Sequence, residues 1–446
     1  MADKSELNYF AVAPTQTVIE EKYEQRLQPV GDLKPRGQIE FYIPGDTDLY
    51  LDLNNTQLLL QCEIKNTDNS ALDIADKLSV CNNVISSLFQ DVKIKLNNIE
   101  VSDQSLNYPY KSYFETLLSY DYEAQKTVLK PRGWEVDDPD SSGAGIAKWF
   151  DSGAFKPGWK ERNSTVQHIG GTARTFELIG PLASDIFKTD LLLPSNINVS
   201  IRLNRSSSNF VLLYGDDVTR DKDFVIEIKR ATLIITRVKI NPSKLIQIEK
   251  VWSSRSVRIP FTRSKVYNKT VASGISTISM QHLLRGTLPK RVFIALVKDA
   301  AYAGDKQEDP FFFNHYKLSS IQLKAGNRLI PKELLQFEFR DAATYHQKIV
   351  EGWAKFMQTV GVYHSSDSIN IWPERWARGF TVFGFDLTRD MSAGQATSLL
   401  EEGQLDLTMH FAEGLPDTVT ILTYCEFDEE ILITKHREVL YTPLHS

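Results

Sequence analysis

An all-β fold of two tandem jelly rolls is what this sequence predicts, and three observations predict it. The first is composition. Apolar residues make up 42% of 446 positions, charged residues 24% and aromatic residues 11%. The apolar runs are rich in Val, Ile, Thr and aromatics, which suit a pleated surface better than a helix. The second is repetition. VKIKLNNIEV at 92–101 and IQLKAGNRLI at 321–330 are each a short strand, a two-residue turn and a second strand. The third is spacing. Each half carries about eight strand signals separated by turns, and most connections are too short for a parallel crossover. Eight antiparallel strands in two facing sheets make a jelly roll. A pair of immunoglobulin-type sandwiches fits less well, because each unit runs to about 200 residues and carries an internal helix.

Taken in order, residues 1–36 are polar and read as an N-terminal arm in which VIEEKYEQRL forms a short helix. Strand signals open at Gln38. Val92, Ile94 and Leu96 alternate with Lys93 and Lys95, and Asn97-Asn98 suits a hairpin turn because Asn tolerates positive φ. Tyr110, Tyr113, Phe114, Leu117 and Leu118 then share one helix face, with Pro109 in the first turn. Residues 131–172 are rich in Gly, Pro, Ser and Asp and read as a long loop. Strands resume through DFVIEIKRATLIITRVKI, and NPSKLIQIEKVW reads as a helical connector.

The second half repeats this order. Gly326-Asn327 makes its hairpin turn, and Tyr345, Ile349, Trp353, Phe356 and Met357 share a helix face. Val92 matches Ile321 and Asn98 matches Asn327, both 229 positions on, while Asp223 matches Asp417, 194 positions on. The difference is close to the length of 131–172, so the first half carries one insertion. The expected organisation is an arm over 1–36, a first roll over 37–240, a connector over 241–254 and a second roll over 255–446.

Composition argues against several functions. The net charge is −6 and there is no basic stripe of the kind that wraps nucleic acid. The densest basic stretch, Lys250 to Lys265, is broken by Ile259, Pro260 and Phe261 and reads as a solvated strand face. Cys62, Cys81 and Cys425 are too few and too scattered for a disulfide framework or a zinc site, which points to a reducing compartment. Cys425 reads as a small core residue. The opening MADKSELNYF has no apolar signal region and no run reaches transmembrane length. The sequons at Asn54, Asn163, Asn198, Asn204 and Asn268 are therefore read as chance.

No chemistry is assigned. A cupin-type metal site needs a His-x-His pair, and His168, His282, His315, His346, His364, His410, His436 and His445 include none. Gly170-Gly171 lacks the ending of a phosphate loop, and no G-x-S-x-G elbow occurs. Glu135 to Asp140 reads as a solubilising loop. Glu426, Asp428 and Glu430 fall on one strand face and read as a solvated rim. The chain is taken as a scaffold without catalytic, cofactor or metal residues. Trp134, Trp149, Phe150, Phe155 and Trp159 would expose much apolar area in a free loop, so they are the candidate inter-subunit contacts. A twofold internal repeat also suits assembly, since three such chains supply six similar sandwiches around one axis.

Several motifs resemble one family. SLFQDVKIKLNNIEV, NYPYKSYFETLLSYD, GWKERNSTV and FELIGPLASDIFKTDLLLPSNINVSIRL in the first half are similar to the double jelly-roll major capsid proteins of Polinton/Maverick elements and adintoviruses. So are RVKINPSKL, LLRGTLPKRVFIALV, DPFFFNHYKLSSIQLKAGNRLIP and GFTVFGFDLTRD, so the resemblance runs from about residue 38 to 440. It implies a homotrimeric, pseudo-hexameric capsomer that meets neighbouring capsomers in an icosahedral shell around double-stranded DNA. It also implies a single jelly-roll penton protein, minor capsid or cement proteins, and a virion location after assembly in the host cytoplasm or nucleus. It transfers no catalytic residue and no specific nucleic-acid sequence. The alternatives are a host-retained capsid-like structural protein, an intracellular β-sandwich binding module and, least supported, a cupin-like metalloenzyme.

Overall fold

The protein is described by a computed structural model. It describes residues 16–34, 37–68, 70, 72, 76–102, 106–137, 150–151, 154–155, 157–166, 175–215, 222–339, 348–365, 368–391 and 400–441.

The first half contributes strands β1 (Ile19–Leu27), β2 (Ile39–Ile43), β3 (Leu49–Asn66), β4 (Phe89–Leu96), β5 (Ile99–Glu100), β6 (Thr175–Pro181), β7 (Val199–Arg205) and β8 (Phe224–Ile240). The second contributes β9 (Val257–Val271), β10 (Thr277–Thr287), β11 (Arg291–Lys298), β12 (Leu318–Ala325), β13 (Arg328–Gln336), β14 (Val382–Asp386), β15 (Glu402–Phe411) and β16 (Val419–Ile433). Four helices matter: α1 (Tyr108–Ser119), α2 (Pro157–Val166), α3 (Pro242–Trp252) and α4 (Val350–Val360). The sheets of the first half run β1-β8-β3-β6 and β2-β7-β4-β5. Those of the second run β9-β16-β11-β14 and β10-β15-β12-β13. Strand for strand, the two orders are the same, and the ladders are antiparallel. The fold is a double jelly roll.

The repeated hairpins fall in register. Leu96 pairs with Ile99 and Ala325 with Arg328, so each turn has two residues. Asn97 and Asn98 both have positive φ, 44° and 71°, as a type I′ turn requires. In the second hairpin Gly326 alone of the two turn residues is left-handed, at 57°, the pattern of a type II′ turn.

Two expectations need correction. The stretch VIEEKYEQRL is not helical: β1 pairs with β8 from Leu27↔Leu233 to Lys22↔Val238. It satisfies the backbone groups along one edge of β8, while Glu20 to Arg26 are exposed on both faces. With neither face buried it carries no alternation, so its type was invisible in the pattern. β1 stands where β9 stands in the second half, which makes residues 19–27 the first strand of the first roll rather than part of an arm.

The segment 131–172 is also more than a loop. It contains α2 and a short hairpin in which Phe150 pairs with Phe155. The α2 residues Trp159 and Val166 are buried, and Asn163 Nδ2 donates to the Leu78 carbonyl at 2.6 Å. Arg162 Nε donates to the Val80 carbonyl at 2.9 Å, and its guanidinium meets Asp137 at 3.0 Å. Asp137 is therefore a part-buried ion-pair partner rather than a solubilising charge. Gly133 begins this wrap at φ 73°, where a Cβ would lie 2.2 Å from Val84 Cγ1.

One contiguous apolar core runs through both rolls. Cys62, Cys81 and Cys425 are free thiols at its centre, each 0% exposed. Burial pushes the Cys62 and Cys81 thiols up to about 12, which leaves them unreactive core residues.

Candidate functional site: the seam between the rolls

The core is continuous because α1 lies between the rolls. Pro109 sits in its first turn, and the chain leaves it at Tyr120 in an extended conformation. Every residue from Tyr108 to Leu117 is buried. The aromatic face expected from the sequence is present, but the opposite face is covered as well. On the second-roll side, Tyr113 stacks on Phe311 at 4.2 Å and Phe114 on Phe313 at 5.2 Å. Phe114 also meets Tyr424 of β16 at 5.4 Å, and Tyr110 stacks on Tyr302 at 5.5 Å. Such ring pairs add roughly 0.5–1.5 kcal/mol each beyond the area they bury. Just before the helix, Asn107 Nδ2 donates to the Val266 carbonyl of β9 at 3.0 Å, and Tyr302 Oη donates to Asn107 Oδ1 at 2.8 Å.

A buried ionic cluster flanks these rings. Arg263 of β9 is 1% exposed. Its Nε donates to Glu429 at 3.1 Å and one terminal nitrogen to Asp185 of the first roll at 3.0 Å. The other terminal nitrogen reaches the Val101 carbonyl at 2.6 Å and Tyr441 Oη at 2.7 Å. Lys111 of α1 meets the same Asp185 oxygen at 2.7 Å. Burial alone would raise the Asp185 carboxyl, but Lys111 and Arg263 outweigh it and hold the group below the ordinary carboxylate range. Asp185 thus bridges a helix of one roll to a strand of the other.

Two sequence expectations are overturned here. Arg263 lies in the stretch read as a solvated face, yet it is buried with two carboxylates. Glu426, read as part of a solvated rim, is only 6% exposed, and Glu429 on the opposite strand face is buried to the same degree. Glu426 pairs with Arg291 at 2.6 Å and Asp428 with Lys290 at 2.8 Å. Only Glu430 of that run behaves as expected, exposed beside Arg258. The missing signal was the partner: Asp185 is 78 positions from Arg263 and Glu429 is 166.

The candidate contact residues divide. Trp134 and Trp159 are each 2% exposed inside the chain's own core, and Trp134 stacks on Tyr113 at 5.1 Å. Their area is already covered, which removes the reason for assigning them to a subunit contact. Phe150 and Phe155 are backbone partners in the short hairpin ladder, and Trp149 lies outside the described residues, as do Tyr345, His168, His346 and His445. Among the described residues, no three His, Cys, Asp or Glu side chains are grouped to hold a metal. No described helix is long and apolar enough to cross a membrane.

The strand order and the clamped seam define a double jelly-roll protein. No family model matches the chain. The Caenorhabditis elegans protein "Uncharacterized protein F54H12.2" is 21% identical over 428 residues, covering 93% of this chain and 96% of that one. Among solved structures, a chain of the Sputnik virophage is 10% identical, covers 99% of this chain and 92% of its own, and superposes with a TM-score of 0.66. The mavirus major capsid protein is 11% identical, covers 99% and 94%, and gives a TM-score of 0.56. Both comparisons span the two rolls together, so the likeness includes how the rolls are joined.

Proposed function

We propose that the chain is a major capsid protein of the Polinton/Maverick and adintovirus kind. Three copies form a pseudo-hexameric capsomer, and capsomers tile an icosahedral shell around double-stranded DNA. The observation that carries this reading is the clamped pair of identically ordered rolls. A flexible pair would present its edges at variable angles, whereas a brick locked through α1 and Asp185 presents two sandwiches in a fixed relation. Three such bricks supply six similar faces, which can close a ring and tile. The role is structural rather than catalytic, and the location is the virion.

Neighbouring capsomers, a single jelly-roll penton protein and minor or cement proteins are the implied partners. An acidic shell does not neutralise DNA by itself, so a basic internal protein or cations accompany the genome. A second reading keeps the same architecture in a chain retained by a host genome, and the near-full-length nematode relative favours it. Purified protein examined by light scattering and negative-stain microscopy should show hexagonal-looking trimers or shells. Monomers in every buffer, together with a bound sugar or metal, would overturn the capsid reading.

A further inference from the structure

The two rolls differ in kind at one matched position. β7 and β15 are counterparts in the strand order. In β15 the inward residues Leu405, Leu407, Met409 and Phe411 are all buried. In β7 Val199, Ile201 and Leu203 are each 0% exposed, and the next residue on that face is Arg205. Arg205 pairs with Phe89 of β4, and Phe411 pairs with Leu318 of β12. Phe89 and Leu318 are 229 positions apart, the spacing of the repeated hairpins. Both ladders step over one residue at this point, Gln90 in one and Ser319 in the other. Arg205 therefore stands where the second roll has a buried phenylalanine. An apolar residue satisfies the fold there, so packing does not account for the charge.

Arg205 is also poorly matched within the chain. Among the described residues its one hydrogen bond runs from Nη2 to the Ile226 carbonyl of the facing sheet, at 3.1 Å. Its Nε–H is buried and has no partner among them. Glu227 is already shared by Lys65 at 2.9 Å and Lys229 at 2.7 Å, and Asp223 is held by Lys306 at 2.8 Å. Burial pulls the guanidinium below its ordinary value, and Glu227 does not make this up. Arg263 is the contrast, since its carboxylates outweigh burial and raise it. A buried donor without a partner is costly in a native fold and calls for one.

The place for that partner is a cavity of about 490 Å³. It lies at the end of the first sandwich, where β3 and β7 finish and β8 begins. Arg205, Ser206, Ser207, Ser208 and Thr67 line it. Ser206 Oγ is a second buried group with no partner among the described residues. Ser207 Oγ accepts from the Asn209 amide at 3.3 Å, which leaves its O–H to donate. Asp223 is the one acid among the lining residues, and Lys306 balances it, so the surplus charge at the cavity is positive. Four hydroxyls around one guanidinium point to a ligand with several acceptor oxygens. A carboxylate has two oxygens, whereas a phosphate group has at least three strong acceptors.

We propose that this cavity binds a phosphate group, free or carried on a small organic body. Arg205 holds the charge, and the Ser206, Ser207 and Ser208 hydroxyls donate to the remaining oxygens. The site belongs to the first roll alone, because the second has Phe411 in the place of the arginine. It goes beyond the structural role proposed above and does not depend on it.

The test uses the full chain in phosphate-free buffer at fixed ionic strength. Titration calorimetry with inorganic phosphate and with glycerol 3-phosphate should show one site per chain. Binding of inorganic phosphate assigns the free ion, and binding of glycerol 3-phosphate alone assigns an ester; either supports the site. Arg205→Phe copies the second roll, so the chain should fold with an unchanged or higher melting temperature. It should bind roughly tenfold more weakly or worse, as expected for losing a hydrogen-bonded charge. The bound probe should raise the melting temperature of the wild type but not of Arg205→Phe. Ser206→Ala with Ser208→Ala keeps the guanidinium and should weaken binding several-fold, which decides the matter if Arg205→Phe does not fold. Arg258→Gln, at an exposed position of β9, should bind as the wild type does. Failure of the wild type to bind either probe overturns the site. So does full-strength binding in a folded Arg205→Phe chain or in the double serine variant, and so does an equal loss in Arg258→Gln.

Discussion

Arg263 shows how much one side chain settles here. Its guanidinium is held by two carboxylates, a carbonyl and a phenol, with no water-exposed atom left over worth counting. Arg263→Met removes the cation and leaves Asp185 and Glu429 buried with fewer partners. A loss of about 3–5 kcal/mol is expected in urea unfolding, because an uncompensated buried charge is costly. A loss near zero would mean that the cluster contributes nothing net. The pH dependence follows from Asp185. Its carboxyl is held below the ordinary value of 3.8, so its stabilising contribution is complete above that pH and fades as pH falls through the lower folded-state value. The urea midpoint should therefore drop below about pH 4. The gap between wild type and Asp185→Asn should narrow over the same window; a gap constant from pH 6 to pH 3 would assign the acid sensitivity elsewhere.

At the scale of elements, α1 is the part on which the others depend. Its Phe114 is 0% exposed and touches Phe313 and Tyr424 across the seam. Phe114→Ala should cost about 3–5 kcal/mol, since a rigid double-roll core does not collapse into the space. Calorimetry checks this, and a change under about 1 kcal/mol would show that the seam repacks. Most elements were legible. The two hairpins, α1 and α3 follow from alternation, helical spacing, turn residues and a proline in the first turn. β1 was not, because a strand exposed on both faces has no pattern to read. The helix α2 was hidden in a stretch whose Gly, Pro and Ser content signals a loop.

For the whole molecule, one core through both rolls means that they stand or fall together. A fragment ending at residue 254 keeps α1 but loses Phe311, Phe313 and Tyr424, so the helix would expose its aromatic face. That fragment should aggregate or bind hydrophobic dyes strongly. A soluble, cooperatively melting first roll would show that the rolls are independent. Deleting 140–155 removes Trp149, Phe150 and Phe155 but spares Trp134, Asp137 and Trp159. Monomers should fold normally, while trimers weaken if that hairpin takes part in subunit contact. Unchanged trimers by size exclusion would remove it from the interface.

By itself, the sequence determined the fold class, the twofold repeat, the turn chemistry and the absence of a metal-site pattern. These are local properties, written in periodicities of two and 3.6 and in residues that favour particular backbone angles. Only the tertiary structure decided which charges are buried and which aromatics belong to the core. Arg263 and Glu429 look like surface residues, and Trp134 and Trp159 look like exposed loop residues, until distant partners arrive. Burial is set by what the rest of the chain places against a side chain, and no local pattern records that.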